Sequence, residues 1–144
     1  MRITTRGRYA LRAMLALAKL GKDGAPVSIN TLSETEDISS VFLEQIFFKL
    51  RKAGIVSSIR GPGGGFCFAR PLKELTVKAI LDAAGEDLDV TLCDKQMKDC
   101  GKLDSCISHK VWQNLTRMVN TYFNSLTLAS IIEKNDLAVE NEAS

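Results

Sequence analysis

Ser39-Ser40-Val41-Phe42-Leu43-Glu44-Gln45-Ile46-Phe47-Phe48-Lys49-Leu50-Arg51-Lys52-Ala53-Gly54 runs straight into Ile55-Val56-Ser57-Ser58-Ile59-Arg60-Gly61-Pro62-Gly63-Gly64-Gly65-Phe66-Cys67-Phe68. Leu43, Ile46, Phe47 and Leu50 recur at helical spacing, so the first stretch reads as a helix that opens at Ser40 and stops at Gly54. The β-branched run Ile55–Ile59 and the short Phe66–Phe68 run read as two strands. The Gly/Pro tip between them reads as a hairpin turn. A hairpin directly after a helix is how a winged helix-turn-helix ends, provided another short helix and a tight turn precede it.

Both lie upstream. Asn30–Glu36 reads as a short helix and Asp37-Ile38-Ser39 as the turn, so the helix from Ser40 takes the place of a groove-reading helix. Before them, Thr5–Leu20 carries Leu11, Met14, Leu15 and Ala18 on one face and stops at Gly21, with Arg8, Arg12 and Lys19 on another face. The glycine-rich tip also invites a phosphate-loop reading. No Gly-Lys-Ser/Thr follows it and it leads into a strand, so that reading is rejected. Glycines at the tip let backbone come close to a DNA phosphate, and Arg60 is placed to enter the negative minor groove. Glu44 is suited to accept from cytosine N4 and Gln45 to pair with adenine, whereas a Glu44 that only favours the positive helix terminus is the ordinary alternative. With Ser40 as the N-cap, Glu44 falls one residue late for a capping box. Arg2, Ser39, Ser40, Gly61, Gly63 and Gly64 complete the expected DNA-contacting set.

The whole chain has 144 residues, 45% hydrophobic and 25% charged, ample for one core and ordinary for a globular protein. Its net charge of +2 hides a split. Residues 1–73 hold 12 Lys/Arg against 5 Asp/Glu, and residues 74–144 hold 7 against 12, so the halves carry +7 and −5. This distribution points to a nucleic-acid-facing first part, residues 1–73, and a second part with another task. No apolar run approaches the roughly 20 residues of a membrane span, and no secretory signal is evident. A cytoplasmic, reducing compartment is therefore expected.

Thr76–Ala84 reads as a short helix stopped by Gly85, but Glu86–Ser108 has little periodicity. Residues 74–108 are thus read as a short helix and a ligand-binding loop. The loop holds Cys93-x6-Cys100-x5-Cys106-x2-His109, three thiols and the chain's only histidine. Four soft donors suit an iron–sulfur cluster with mixed ligation, structural zinc, or unligated thiols, and the missing Cys-x2-4-Cys knuckle counts against zinc. Cys67, in the second strand, is expected to pack. A Cys106–His109 nucleophile is a poor reading beside two further thiols with no substrate pocket, so no enzyme is expected. Residues 109–134 hold a long helix, His109–Leu126, and a short one, Thr127–Glu133. Val111, Leu115, Met118 and Tyr122 form one stripe of the long helix, and Trp112, Val119, Phe123 and Leu126 widen it. That apolar circumference suggests a homodimerisation helix, with an intrachain core helix as the alternative. Residues 135–144 are expected to fray and to carry no function.

Met1-Arg2-Ile3-Thr4-Thr5-Arg6-Gly7-Arg8-Tyr9-Ala10, Phe42-Leu43-Glu44-Gln45-Ile46-Phe47 and Val56-Ser57-Ser58-Ile59-Arg60-Gly61-Pro62-Gly63-Gly64-Gly65 together resemble the Rrf2 family of winged-helix transcription regulators. The resemblance covers residues 1 to about 133 and is strongest to members that regulate iron–sulfur cluster assembly. It implies a mainly α winged helix-turn-helix with a two-stranded wing and a long C-terminal dimerisation helix. It also implies a bacterial homodimer that binds double-stranded promoter DNA and carries a [2Fe–2S] cluster on Cys93, Cys100, Cys106 and His109. Glu44 matches the family's acidic recognition-helix residue and Arg60 its minor-groove arginine. The first cysteine gap is one residue longer than in those members. Related [4Fe–4S] nitric-oxide sensors use an acidic ligand near the N-terminus, where this chain has Arg8, a residue that does not ligate iron.

Overall fold

The computed structural model describes residues 1–93 and 100–143, with side chains described through Asp136. In chain order the elements are α1 (Thr5–Leu20), α2 (Ile29–Glu36), α3 (Ser40–Lys52), β1 (Val56–Ile59), β2 (Gly65–Phe68), α4 (Val77–Ala84), α5 (Ile107–Ser125) and α6 (Leu128–Ala143). The result is a mainly helical winged helix-turn-helix with a two-stranded antiparallel wing. No helix among the described residues is long and apolar enough to cross a membrane.

Caps explain most of the helix starts. The side-chain oxygens of Thr4, Ser28, Ser39 and Thr76 accept from the backbone N–H three residues on, opening α1, α2, α3 and α4. The cap of α3 is therefore Ser39, not Ser40; both have suitable side chains, and the left-handed Asp37 sets the chain direction so that Ser39 takes the role. Glu44 then lies two residues past the capping-box position. Helix α5 opens two residues before His109, with Cys106 at its cap position.

Helix α6 runs on to Ala143 where the sequence suggested an end near Glu133 and a frayed tail. Leu137, Ala138, Glu140, Glu142 and Ala143 are good helix formers, and their propensity outweighs the polarity that argued for fraying.

The wing pairs Val56 with Phe68, Ser57 with Cys67, Ser58 with Phe66 and Ile59 with Gly65. At its tip Gly64 N–H donates to Gly61 O at 2.9 Å. Pro62 and Gly63 occupy the middle of this turn, and Gly63 has φ +74°. Proline then a positive-φ glycine is the requirement of a type II turn. The other edge of β2 is paired as well: Val27 and Phe66 exchange both backbone hydrogen bonds, at 2.9 and 2.8 Å.

Fully buried Met14, Leu32, Leu43, Ile46, Phe47 and Leu50 form the centre of the main core, and the Phe66 ring packs tilted against Phe47, centroids 4.7 Å apart. Burying each of these side chains contributes roughly 1.5–3 kcal/mol. That core also takes in Leu75, Ile80, Ala84 and Leu128, so it crosses from the basic half into the acidic one. Within the acidic half, two backbone bonds tie the start of α4 to the start of α6, Val77 N–H to Leu126 O and Leu128 N–H to Leu75 O, both 2.9 Å. A smaller cluster of Val77, Leu81 and Leu88 receives Phe123 and Leu126 from α5 and its end.

Candidate nucleic-acid interface and metal loop

Helix α3 buries Leu43, Ile46, Phe47 and Leu50 and turns Val41, Glu44, Gln45, Phe48 and Lys49 outward. Glu44 and Gln45 are therefore exposed side by side, and Ser39 and Ser40 stand at the helix entrance. Lys49, Arg51 and Lys52 crowd its last turn, favourable at a negative helix terminus and available to phosphate. Arg51 also donates to the Ser58 hydroxyl at 3.4 Å, tying the helix to the wing. Arg60, Gly61 and Gly63 are exposed at the wing tip and Gly64 is half-buried. Arg2 is exposed just before α1 and shares a shallow concavity with Arg8.

Other basic residues serve the scaffold. Arg12 lies over the Tyr9 ring at 5.3 Å, and its Nη2 donates to Glu36 O at 2.5 Å, joining α1 to the end of α2. Arg8 donates to the Thr5 hydroxyl at 3.1 Å. Sequence reading passed over Val41 and Phe48. For Phe48 the signal was its place outside the Leu43, Ile46, Phe47 and Leu50 stripe.

The start of α1 is clasped by the loop after α4. Glu86 Oε1 accepts from Thr4 N–H at 2.9 Å and Gly7 N–H at 3.1 Å, and also from the Thr4 hydroxyl. A Cβ at residue 7 would lie 2.2 Å from that oxygen, so this clasp requires glycine.

All four cysteines are free and half-buried. Cys106 occupies the cap position of α5 without a side-chain capping bond, and His109 is buried in the helix's first turn, 7% exposed. Cys106 Sγ lies 3.1 Å from the Ser108 hydroxyl. That contact, with backbone N–H groups of His109 and Ser108 and the charge of Lys102, holds the Cys106 thiol below its ordinary range. Cys93 and Cys100 flank residues 94–99, which lie outside the described part of the loop. Among the described residues no three Cys, His, Asp or Glu side chains converge on one ion position. Donor chemistry fits a soft metal centre: three free thiols, one of them thiolate-prone, and a shielded imidazole. Cys67 lines a separate cleft with Leu17, Phe68 and Leu72.

Residues 3–134 match the Rrf2 family model, described as an iron-dependent transcriptional regulator. The chain belongs to the Rrf2 family. This Rrf2 protein is accordingly a DNA-binding transcription regulator and not an enzyme. It is 39% identical over 139 residues to the HTH-type transcriptional regulator IscR of Serratia proteamaculans, covering 96% of this chain and 84% of that one. Among solved structures, IscR of T. potens superposes with a TM-score of 0.79 at 30% identity, covering 96% of the Rrf2 chain and 90% of its own. CymR, the global cysteine regulator of B. subtilis, superposes with a TM-score of 0.77 at 27% identity, over 93% and 98% of the two chains.

Proposed function

We propose that this Rrf2 regulator works as a homodimer whose DNA binding responds to an iron–sulfur cluster, [2Fe–2S] in type, held by Cys93, Cys100, Cys106 and His109. The observation that carries this reading is the placement of Cys106 at the cap position and His109 in the first turn of α5, a helix with two apolar faces. One face, through Phe123, packs on Val77 and Leu81. The other exposes Val111, Trp112, Leu115, Met118 and Tyr122, which is the surface a second copy of the chain would cover. Two of the four ligands thus belong to the element that would form the dimer contact.

When bound, the cluster supplies a one-electron redox couple and sensitivity to oxidants. The chain's own part is to present thiolates, with the Ser108 hydroxyl and helix N–H groups favouring the ionised Cys106, and to keep the His109 imidazole away from water. Glu86, seven residues before Cys93, ties the start of this loop to the first turn of α1. Arg8 offers no acidic fourth ligand, which supports the histidine-ligated form over a [4Fe–4S] centre. On the DNA side, Arg2, Ser39, Ser40, Glu44, Gln45, Arg60, Gly61, Gly63 and Gly64 form the contact set. A bacterial cytoplasm suits both reduced thiols and access to promoters.

The test is anaerobic purification with iron, sulfide and zinc analysis and a visible spectrum. Equal iron and sulfide with absorption lost in Cys106→Ala and His109→Ala is the expected result. A colourless protein holding zinc alone replaces the sensor by a zinc-stabilised regulator whose DNA binding ignores oxidants. Replacing Met118 by Glu is expected to halve the solution mass measured by light scattering.

A further inference from the structure

Two large apolar side chains stand on the open side of the recognition helix, Val41 at 63% exposure and Phe48 at 58%. They lie at i and i+7 with Glu44 and Gln45 between them, so all four share one face. Nothing among the described residues covers them: Tyr9 packs on Phe42 and Phe66 on Phe47, leaving Phe48 without a ring partner there. This face continues the groove-reading surface and ends among Lys49, Arg51 and Lys52. Two polar side chains in the middle and cations at one end are poorly matched to an apolar protein partner. They match the floor and walls of a DNA groove.

The major groove presents one apolar group, the C5-methyl of thymine, and valine- or phenylalanine-sized side chains are suited to contact it. Seven residues of helix rise about 10.5 Å, which is about three base-pair steps at 3.4 Å each.

We propose that Val41 and Phe48 are specificity-determining residues that contact thymine methyl groups on either side of the bases read by Glu44 and Gln45. A half-site would then carry thymines about three steps apart, bracketing a cytosine or adenine. The inference rests on α3 being the helix that enters the groove.

Duplexes selected from a random library with the full-length protein supply the probe. Each thymine of the selected half-site is then replaced singly by deoxyuridine, which keeps every hydrogen-bonding atom and lacks only the methyl. Affinity is expected to fall about fourfold at one or two positions, the effect of losing one buried methyl. One of those losses is expected to vanish in Phe48→Ser and the other in Val41→Ser. Both variants change exposed residues, and an unchanged thermal midpoint checks their folding. Equal affinity for thymine and uracil duplexes at every position overturns the proposal using the wild-type protein alone, as do losses that persist undiminished in both variants. Glu44→Ala and Gln45→Ala separate the two levels. If they alter the selected sequence while the uracil series is flat, α3 still reads the groove and only the methyl contacts fail. If they too select the wild-type sequence, the placement of α3 fails with them.

Discussion

With Cys106 ionised, the Ser108 hydroxyl and the first N–H groups of α5 all donate toward its sulfur, and Lys102 adds a positive charge nearby. The ionised form gains and the thiol form does not, so the sulfur titrates below its ordinary range. In metal-free protein Cys106 is therefore expected to alkylate faster than Cys67 at neutral pH. Ser108→Ala removes the largest contribution, so the midpoint of the rate-versus-pH curve should move upward, which mass spectrometry of iodoacetamide-treated protein measures. Arg60 makes the other residue-scale prediction. It extends from the end of β1 beside a turn set by Pro62 and Gly63, with no part in the core. Arg60→Ala should lower operator affinity about tenfold and reduce the salt slope by about one, while leaving stability within about 0.5 kcal/mol. Titrations at two salt concentrations and a thermal melt check all three.

Helix α1 shows what local sequence records and what it omits. Its limits, Thr5 and Leu20, follow from apolar spacing and the terminating Gly21, and the structure reproduces them. Its strongest anchor, Glu86, lies 82 residues from Thr4 and has no local signature. The same holds for the Val27–Phe66 and Thr76–Thr127 bridges, because spacing along a chain does not encode which segments meet. Ser39 and Ser40 differ by one position in cap chemistry that either could serve, so only the geometry of the preceding turn decides between them. The candidate donors were legible by residue type, one histidine and three clustered cysteines. Their spacing carries no geometry of its own, since linkers of five and six residues permit many closures. The clasp at α1 gives a prediction with a change of sign. Gly7→Ala pushes Glu86 out and loses charge-assisted bonds at the helix terminus, costing about 1–2 kcal/mol. In a Glu86→Ala background the same change has no carboxylate to displace and should stabilise by up to about 1 kcal/mol through helix propensity. Urea unfolding of the four proteins at one concentration measures the coupling.

At the scale of the molecule, charge and core divide the chain differently. Charge changes sign near residue 73, yet Leu128 is fully buried in a cluster built mostly from residues before that point. Leu128→Ala should therefore destabilise by roughly 2–5 kcal/mol. The wing and α3 should unfold together with α6 in a single transition, which circular dichroism and the fluorescence of Trp112 follow separately. Two transitions would mean that the halves fold independently.

That shared core has a kinetic consequence. Because Leu75, Ile80, Ala84 and Leu128 pack into a core built mostly from the +7 half, the −5 half rides on the same rigid body as the basic one. Within a screening length of about 10 Å from DNA, such a molecule is turned before it touches. The exposed cations of α3 and the wing, Lys49, Arg51, Lys52 and Arg60, are drawn to phosphates. A protein of nearly neutral total charge then meets DNA in the productive orientation more often than chance allows, without the non-specific adhesion of a uniformly basic one.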